Sequence, residues 1–234
     1  MSELDWERYD ALTFDCYGTL IDWETGLLSA LRPALGEGAD GIGDEELLER
    51  YAPIEAELEA GPYMTYREVL AASVTRLGTE LGIEVPAERA AAFGGSVVDW
   101  PAFPDSAAAL AKLAERYRLA PITNCDDDLF AASAEKLGSP FTWVITAQQA
   151  RAYKPSTRGF ELAFETIDVP RERILHVAQS LFHDHVTAKQ LGMASVWIDR
   201  RGNRPGGGAT PPVTGAEPDA TYPDMASFAA AATA

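Results

Sequence analysis

From Asp105 to Ile198 the sequence alternates at short intervals between amphipathic stretches and apolar, partly β-branched runs, and this alternation restricts the fold more than any other feature. Helices are expected over 105–116, 127–137, 157–167 and 184–191, and strands over 118–122, 142–146, 173–178 and 194–198. Strands separated by helices at this spacing require right-handed βαβ crossovers. The fold class that follows is α/β, a parallel sheet with helices on both faces. One more strand belongs to it, at about 11–15, where Ala11-Leu12-Thr13-Phe14 runs into Asp15.

Between that first strand and the alternating region the pattern is helical throughout. Apolar residues recur at helical spacing in Leu27/Leu28/Leu31/Leu35, in Leu47/Leu48/Tyr51/Ile54/Leu58 and in Tyr66/Val69/Leu70/Leu77/Leu81, with Phe93 and Val97 closing the block. Gly36 to Gly43, Gly61-Pro62 and Gly82 to Pro86 punctuate it, and Pro53 is expected to kink or shorten the second helix. No strand candidate interrupts it. The organisation expected is a core domain built from 1–20 and 98–234, with 21–97 forming an all-helical insertion. Trp100-Pro101-Ala102-Phe103-Pro104-Asp105 is the return, with Asp105 as a helix N-cap. Residues 201–223, rich in Gly and Pro, are expected to be a surface loop, and an alanine-rich helix from about Asp224 ends the chain.

Asp15 ends an apolar strand and is followed by Gly18, which permits a tight turn, so its carboxylate is expected at the carboxyl end of the sheet, where open α/β sheets bind ligands. There it can bind a cation, or attack an electrophilic centre to form an ester. Three later strand ends carry further polar residues. Thr123-Asn124 stands before Asp126, Asp127 and Asp128, which suit a helix start; a hydroxyl and an amide beside exposed N–H groups suit a bound carboxylate or phosphate. Lys154-Pro155 follows the third strand, and Pro155 restrains the backbone so that the ammonium can hold an acid ionised. The fourth strand leads into Ser180-Leu181-Phe182-His183-Asp184-His185, where Asp184 can activate water or hold Lys154, and His183, with an ordinary pKa near neutrality, can act as a base. His176, inside an apolar run, reads as a core residue. Cys16 and Cys125 each follow a strand end and are expected close together, as packing thiols or as a redox pair.

Composition excludes several classes. A formal net charge of -17 repels nucleic acid and anionic membrane. No apolar run is long enough to span a bilayer, and the acidic start is unlike a signal peptide; with two cysteines and no disulfide framework, the expected location is the cytoplasm. A helical insertion with an apolar face leaves a homodimer open as an expectation.

Asp15 within Phe-Asp-Cys-Tyr-Gly-Thr-Leu, Thr123-Asn124, Lys154-Pro155 and Asp184 resemble, in order and spacing, the four motifs of the haloacid dehalogenase superfamily, and the helical insertion is similar to that family's cap. Phosphatases of the superfamily carry a second Asp where this chain has Tyr17, and a Gly-Asp pair supplying a magnesium ligand where it has Ala178-Gln179. The form seen here resembles the L-2-haloacid dehalogenase branch, which implies no metal or other cofactor, a small carboxylate substrate and an aspartyl-ester intermediate on Asp15. On this mechanism Lys154 and Asp184, with His183, are expected in catalysis, Thr123, Asn124 and N–H groups after Tyr17 are expected to bind the substrate carboxylate or the ester oxyanion, and Tyr17 and Trp23 are expected to wall the substrate pocket. That branch is expected to have a halide-receiving arginine after an aromatic residue of an early cap helix; after Tyr51 this chain has Ala52 and Pro53, then Glu55, Glu57 and Glu59. Its motifs are also similar to those of azetidine-2-carboxylate hydrolases, which open a C–N bond and release an amine. A magnesium-dependent phosphatase is the third reading.

Overall fold

The computed structural model describes residues 4–202 and 215–234. The first strand, β1, is Ala11–Phe14; α1 (Trp23–Leu35), α2 (Asp44–Glu59), α3 (Tyr66–Leu81) and α4 (Ala87–Gly95) follow it before the chain returns to the sheet. After α5 (Ser106–Ala114) come β2 (Arg118–Thr123), α6 (Asp127–Lys136), β3 (Ile145–Thr146), α7 (Ala147–Ala150) and α8 (Arg158–Thr166). The chain continues through β4 (Ile174–Ala178), α9 (Val186–Gln190), β5 (Ala194–Ile198), β6 (Ala220–Tyr222) and α10 (Met225–Ala232). All strand pairs are parallel, in the order β3-β2-β1-β4-β5-β6. The chain's winding reverses at β1, which lies between β2 and β4, so the end of β1 is a topological switch point.

Alternation along the strands separates two cores. Leu12 and Phe14 of β1 join Leu110 of α5 and Phe228 of α10, whereas Ala11 faces the other side with Phe160 and Ala163 of α8. Helices α1 and α2 pack into the first of these cores through Leu27, Leu31 and Tyr51. Gly26 of α1 is required there, because a Cβ at this position would stand 2.4 Å from the buried Trp100 ring.

Three expectations are corrected. Residues 201–223 are not all loop: Ala220–Tyr222 forms β6 on the open edge of β5, with 203–214 outside the described residues. The strand expected over 142–146 shortens to Ile145–Thr146, since as an edge strand it has β2 as its only neighbour. Pro53 does not shorten α2, which runs unbroken to Glu59. Among the described residues no helix is long and apolar enough to cross a membrane.

Two acids expected as local caps work at longer range. Asp105 precedes α5 but makes no side-chain cap bond there; its carboxylate pairs with Arg200 and accepts from the backbone N–H of Met225 and Ala226 at the start of α10. Asp126, 3% exposed, likewise reaches past α6 and accepts from the N–H groups of Tyr66 (2.9 Å) and Arg67 (3.0 Å) at the start of α3. A core loop thus satisfies donors that a cap helix leaves open, with the favourable sign of the helix dipole. Asp126→Ala is expected to lower unfolding stability by about 2 kcal/mol, with Asp126→Asn retaining part of that; urea unfolding of both variants checks this, and equal stability of wild type and Asp126→Ala would refute it.

Candidate active site

The turn after β1 aims Asp15 into a cavity between the sheet's carboxyl end and the cap. Gly18 adopts φ +92°, a region that favours glycine, and its N–H closes the turn on the Ile21 carbonyl at 2.8 Å. That bond, with Thr19 N–H on the Cys16 carbonyl, corrects the expectation that N–H groups after Tyr17 face a substrate: these two are spent on the turn. The cavity holds about 110 Å³ and is bordered by Asp15, Lys154, Asn124, His183, Tyr17 and Trp23, all of them expected there. Thr123 and Asp184 stand behind it. Thr123 is 2% exposed and its hydroxyl has no partner among the described residues, and Asn124 is the residue of that pair on the wall.

The centre of the site is one ammonium shared by two carboxylates. Lys154 Nζ donates to Asp15 Oδ1 at 2.8 Å and to Asp184 Oδ1 at 2.7 Å, and all three side chains are buried. Burial works against the charge on Lys154, but the two carboxylates outweigh it and hold the ammonium well above its ordinary range. Burial also pushes Asp184 up; Lys154 and His176 more than reverse this and hold its carboxyl well below the usual range. Asp15 differs: burial raises it, and the opposing Lys154 ammonium and Thr19 hydroxyl do not fully cancel that push. A desolvated carboxylate oriented by donors is suited to nucleophilic attack.

The backbone holds this arrangement in place. Asn124 Oδ1 accepts from Lys154 N–H at 2.7 Å and its amide donates to the Lys154 carbonyl at 3.2 Å, so Asn124 fixes the segment that carries the lysine. Thr19 Oγ1 donates to Asp15 Oδ2 at 2.6 Å and accepts from Gln179 N–H at 2.8 Å, joining the ends of β1 and β4. The four residues before α9, with Leu181, form a π-helical turn, Leu181–His185, which places Asp184 inward and His183 on the cavity wall. His183 Nδ1 meets Ser180 Oγ at 3.0 Å, and burial pushes its imidazole down to about 4. Tyr17 turns its hydroxyl away, to Ser133 and Cys125, and Trp23 packs on Tyr51. Cys16 and Cys125 are both free and buried, and burial pushes both thiols up, Cys125 to about 12.

Of the groups in and around the cavity, Ser180 and Arg200 escaped the sequence reading, whereas Glu55 and Glu59 stood out in it as acids after Tyr51. Thr19 was legible as the hydroxyl four residues after Asp15. Ser180 and Arg200 carried no local signal, because their positions come from the sheet order. From the cap, Glu55 and Glu59 reach the same cavity. Glu55 accepts from the hydroxyls of Tyr66 (3.0 Å) and Tyr51 (3.1 Å), and burial lifts its carboxyl to about 7. Glu59 faces the Asn124 amide and is raised further by burial and by Glu55.

A model of the family described as haloacid dehalogenase-like hydrolase matches residues 9–192. The chain belongs to this family. It is therefore a hydrolase of the haloacid dehalogenase type, in agreement with the motifs above. Haloacetate dehalogenase H-2 of Moraxella sp. (strain B) is 28% identical over 201 residues, covering 84% of this chain and 88% of that protein. The 5-amino-6-(5-phospho-D-ribitylamino)uracil phosphatase YigB of Escherichia coli (strain K12) is 30% identical over 204 residues, covering 82% and 84%. The fold matches the structure of L-2-haloacid dehalogenase from Xanthobacter autotrophicus with a TM-score of 0.80 at 23% identity, over 95% of this chain and 97% of that one.

Phosphatases of this family imply magnesium, and the residues present do not fit it. Tyr17 stands where the second Asp of the first motif is expected, and the position expected to supply a further carboxylate ligand holds the neutral Gln179. Among the described residues no group of three His, Cys, Asp or Glu side chains is placed to hold a metal ion.

Proposed function

We propose that this hydrolase acts, without a metal, on small 2-substituted carboxylic acids through an ester of Asp15. The observation that carries this reading is the single buried ammonium of Lys154 bound to both Asp15 and Asp184. It orients Asp15 Oδ1 for in-line attack on the α-carbon, and the substituent leaves with its bonding electrons. Water then attacks the Asp15 carbonyl carbon with Asp184 as its proton acceptor, and His183 stands by as a neutral base. Tyr17, Trp23 and Asn124 form walls, and residues 21–97 close over the site as the cap domain. The dehalogenases among the relatives support halide as the leaving group.

Glu55 and Glu59 favour a second reading, in which an amine leaves, because two carboxylates stand where a halide would need a positive partner. The test is product release in the presence of EDTA from L-2-chloropropionate and L-azetidine-2-carboxylate side by side. Halide release would assign the first reading and ring opening without it the second; hydrolysis of neither would refute both. The pH dependence separates them again. Glu55, raised to about 7, ionises as pH rises through neutrality, so KM for a cationic substrate is expected to fall from pH 6 to pH 8, and KM for a haloacid to rise.

A further inference from the structure

Beyond Lys154, one more side chain grips Asp184, and it comes from the interior of the sheet. His176 is the only polar residue of β4, and the register places it directly beside Thr13, the only polar residue of β1. Both are buried, at 0% and 1% exposure. Two polar side chains facing each other across a buried strand pair need partners, and here they are linked in a line. Thr13 Oγ1 lies 2.9 Å from His176 Nδ1, and His176 Nε2 lies 3.0 Å from Asp184 Oδ1. Phe160 packs edge-on against the imidazole at 4.9 Å and fixes its plane. A carboxylate can only accept, so Nε2 carries the proton and points it at Asp184.

The consequence lies in which oxygen is taken. Lys154 and His176 both bind Oδ1 of Asp184, whereas Oδ2 is buried and has no hydrogen-bond partner among the described residues. We propose that His176 is a positioning residue for the hydrolytic half of the reaction: by holding Oδ1 together with Lys154, it leaves Oδ2, behind the cavity wall, as the oxygen of Asp184 open to the proton of a water admitted beside Asp15. This rests on the aspartyl-ester reading. In that step the water oxygen bonds to the Asp15 carbonyl carbon and one water proton passes to Asp184 Oδ2. The bond from that carbon to the oxygen carrying the substrate then breaks, and this oxygen takes the proton back to leave as a 2-hydroxy acid. The second water proton departs as Asp15 ionises. Ester formation passes no proton to Asp184, so His176 matters in the second half rather than the first.

Charged and titratable groups around this line are Lys154 and Asp15 on the cavity side and His185 beyond Asp184; His185 is bound to Ser195 and to the Ala178 carbonyl. The test uses rapid quench of the whole protein with L-2-chloropropionate, followed by mass measurement of the Asp15 ester. An Asn amide can reach the place of Nδ1 and a Gln amide that of Nε2. His176→Asn is therefore expected to slow ester decay about 10- to 100-fold, so that ester accumulates, while its formation stays within about twofold of wild type. His176→Gln restores decay. Wild-type decay in His176→Asn, or ester formation slowed as much as decay, would overturn the proposal. Absence of ester in the wild type itself would overturn the aspartyl-ester reading beneath it. Nitrogen NMR of the wild-type imidazoles gives a readout that needs no variant to fold: a protonated Nε2 on His176 is expected, and an unprotonated Nε2 is incompatible with the donor role.

Discussion

Asp15→Asn is expected to lower turnover by on the order of 10⁴-fold or more, because the amide cannot form the ester and the remaining groups have nothing to hydrolyse. The same substitution should not cost stability. In the wild type one ammonium serves two buried carboxylates, an excess of one negative charge, and burial raises Asp15 toward its protonated form. Asn leaves a matched pair, Lys154 with Asp184. Because the folded-state pKa of Asp15 is raised, its ionisation works against folding as pH rises through the carboxylate range, and the variant's relative stability should grow over that interval. The unfolding midpoint at neutral pH is thus expected at or above that of the wild type. Turnover retained in a sample shown by mass to be free of deamidation would remove Asp15 from the chemistry.

Lys154→Met is expected to be harmful in both respects. It removes the cation from two buried carboxylates that repel each other, and breaking such a group by deleting one partner costs about 3–5 kcal/mol. Without the ammonium, both carboxyls are pushed up, so the folded variant binds protons that the unfolded chain releases, and its stability recovers as pH falls. The wild type has the opposite dependence through Asp184, whose lowered pKa contributes stability above the ordinary carboxylate range that is lost on acidification. The stability gap between the two proteins is therefore expected to be widest near neutrality and to narrow in acid. Urea unfolding at several pH values measures it, and a constant gap would mean that the charge cluster is not what Lys154 stabilises. Activity should fall with the nucleophile's orientation, and added alkylamine, which restores a cation to the cavity, is expected to recover part of it.

How far this was legible from the sequence depends on the reach of each interaction. The strand ending in Asp15, the turn at Gly18, the βαβ alternation and the helical run before Trp100 are set by near neighbours, and spacing alone shows them. β6 was not legible: Ala220–Tyr222 is too short to have a period, and it becomes a strand because β5 offers it an open edge. Asp105 and Asp126 look like caps of the helices that follow them, yet they cap α10 and α3, whose open N–H groups the folded chain brings within reach. His176 reads as core and is core, but strand register sets it beside Thr13 and against Asp184. Glu55 and Glu59 are ordinary acids on a helix until cap and core close on the same cavity.

The sequence by itself carried the α/β alternation and the helical insertion through local periodicity, and its ordered motifs carried the resemblance that names the family and points to Asp15, Lys154 and Asp184. Only the tertiary structure decided that one ammonium bridges both acids, which oxygen of Asp184 is left open and that Glu55 and Glu59 line the same cavity, because burial and distance between residues remote in sequence set those energies.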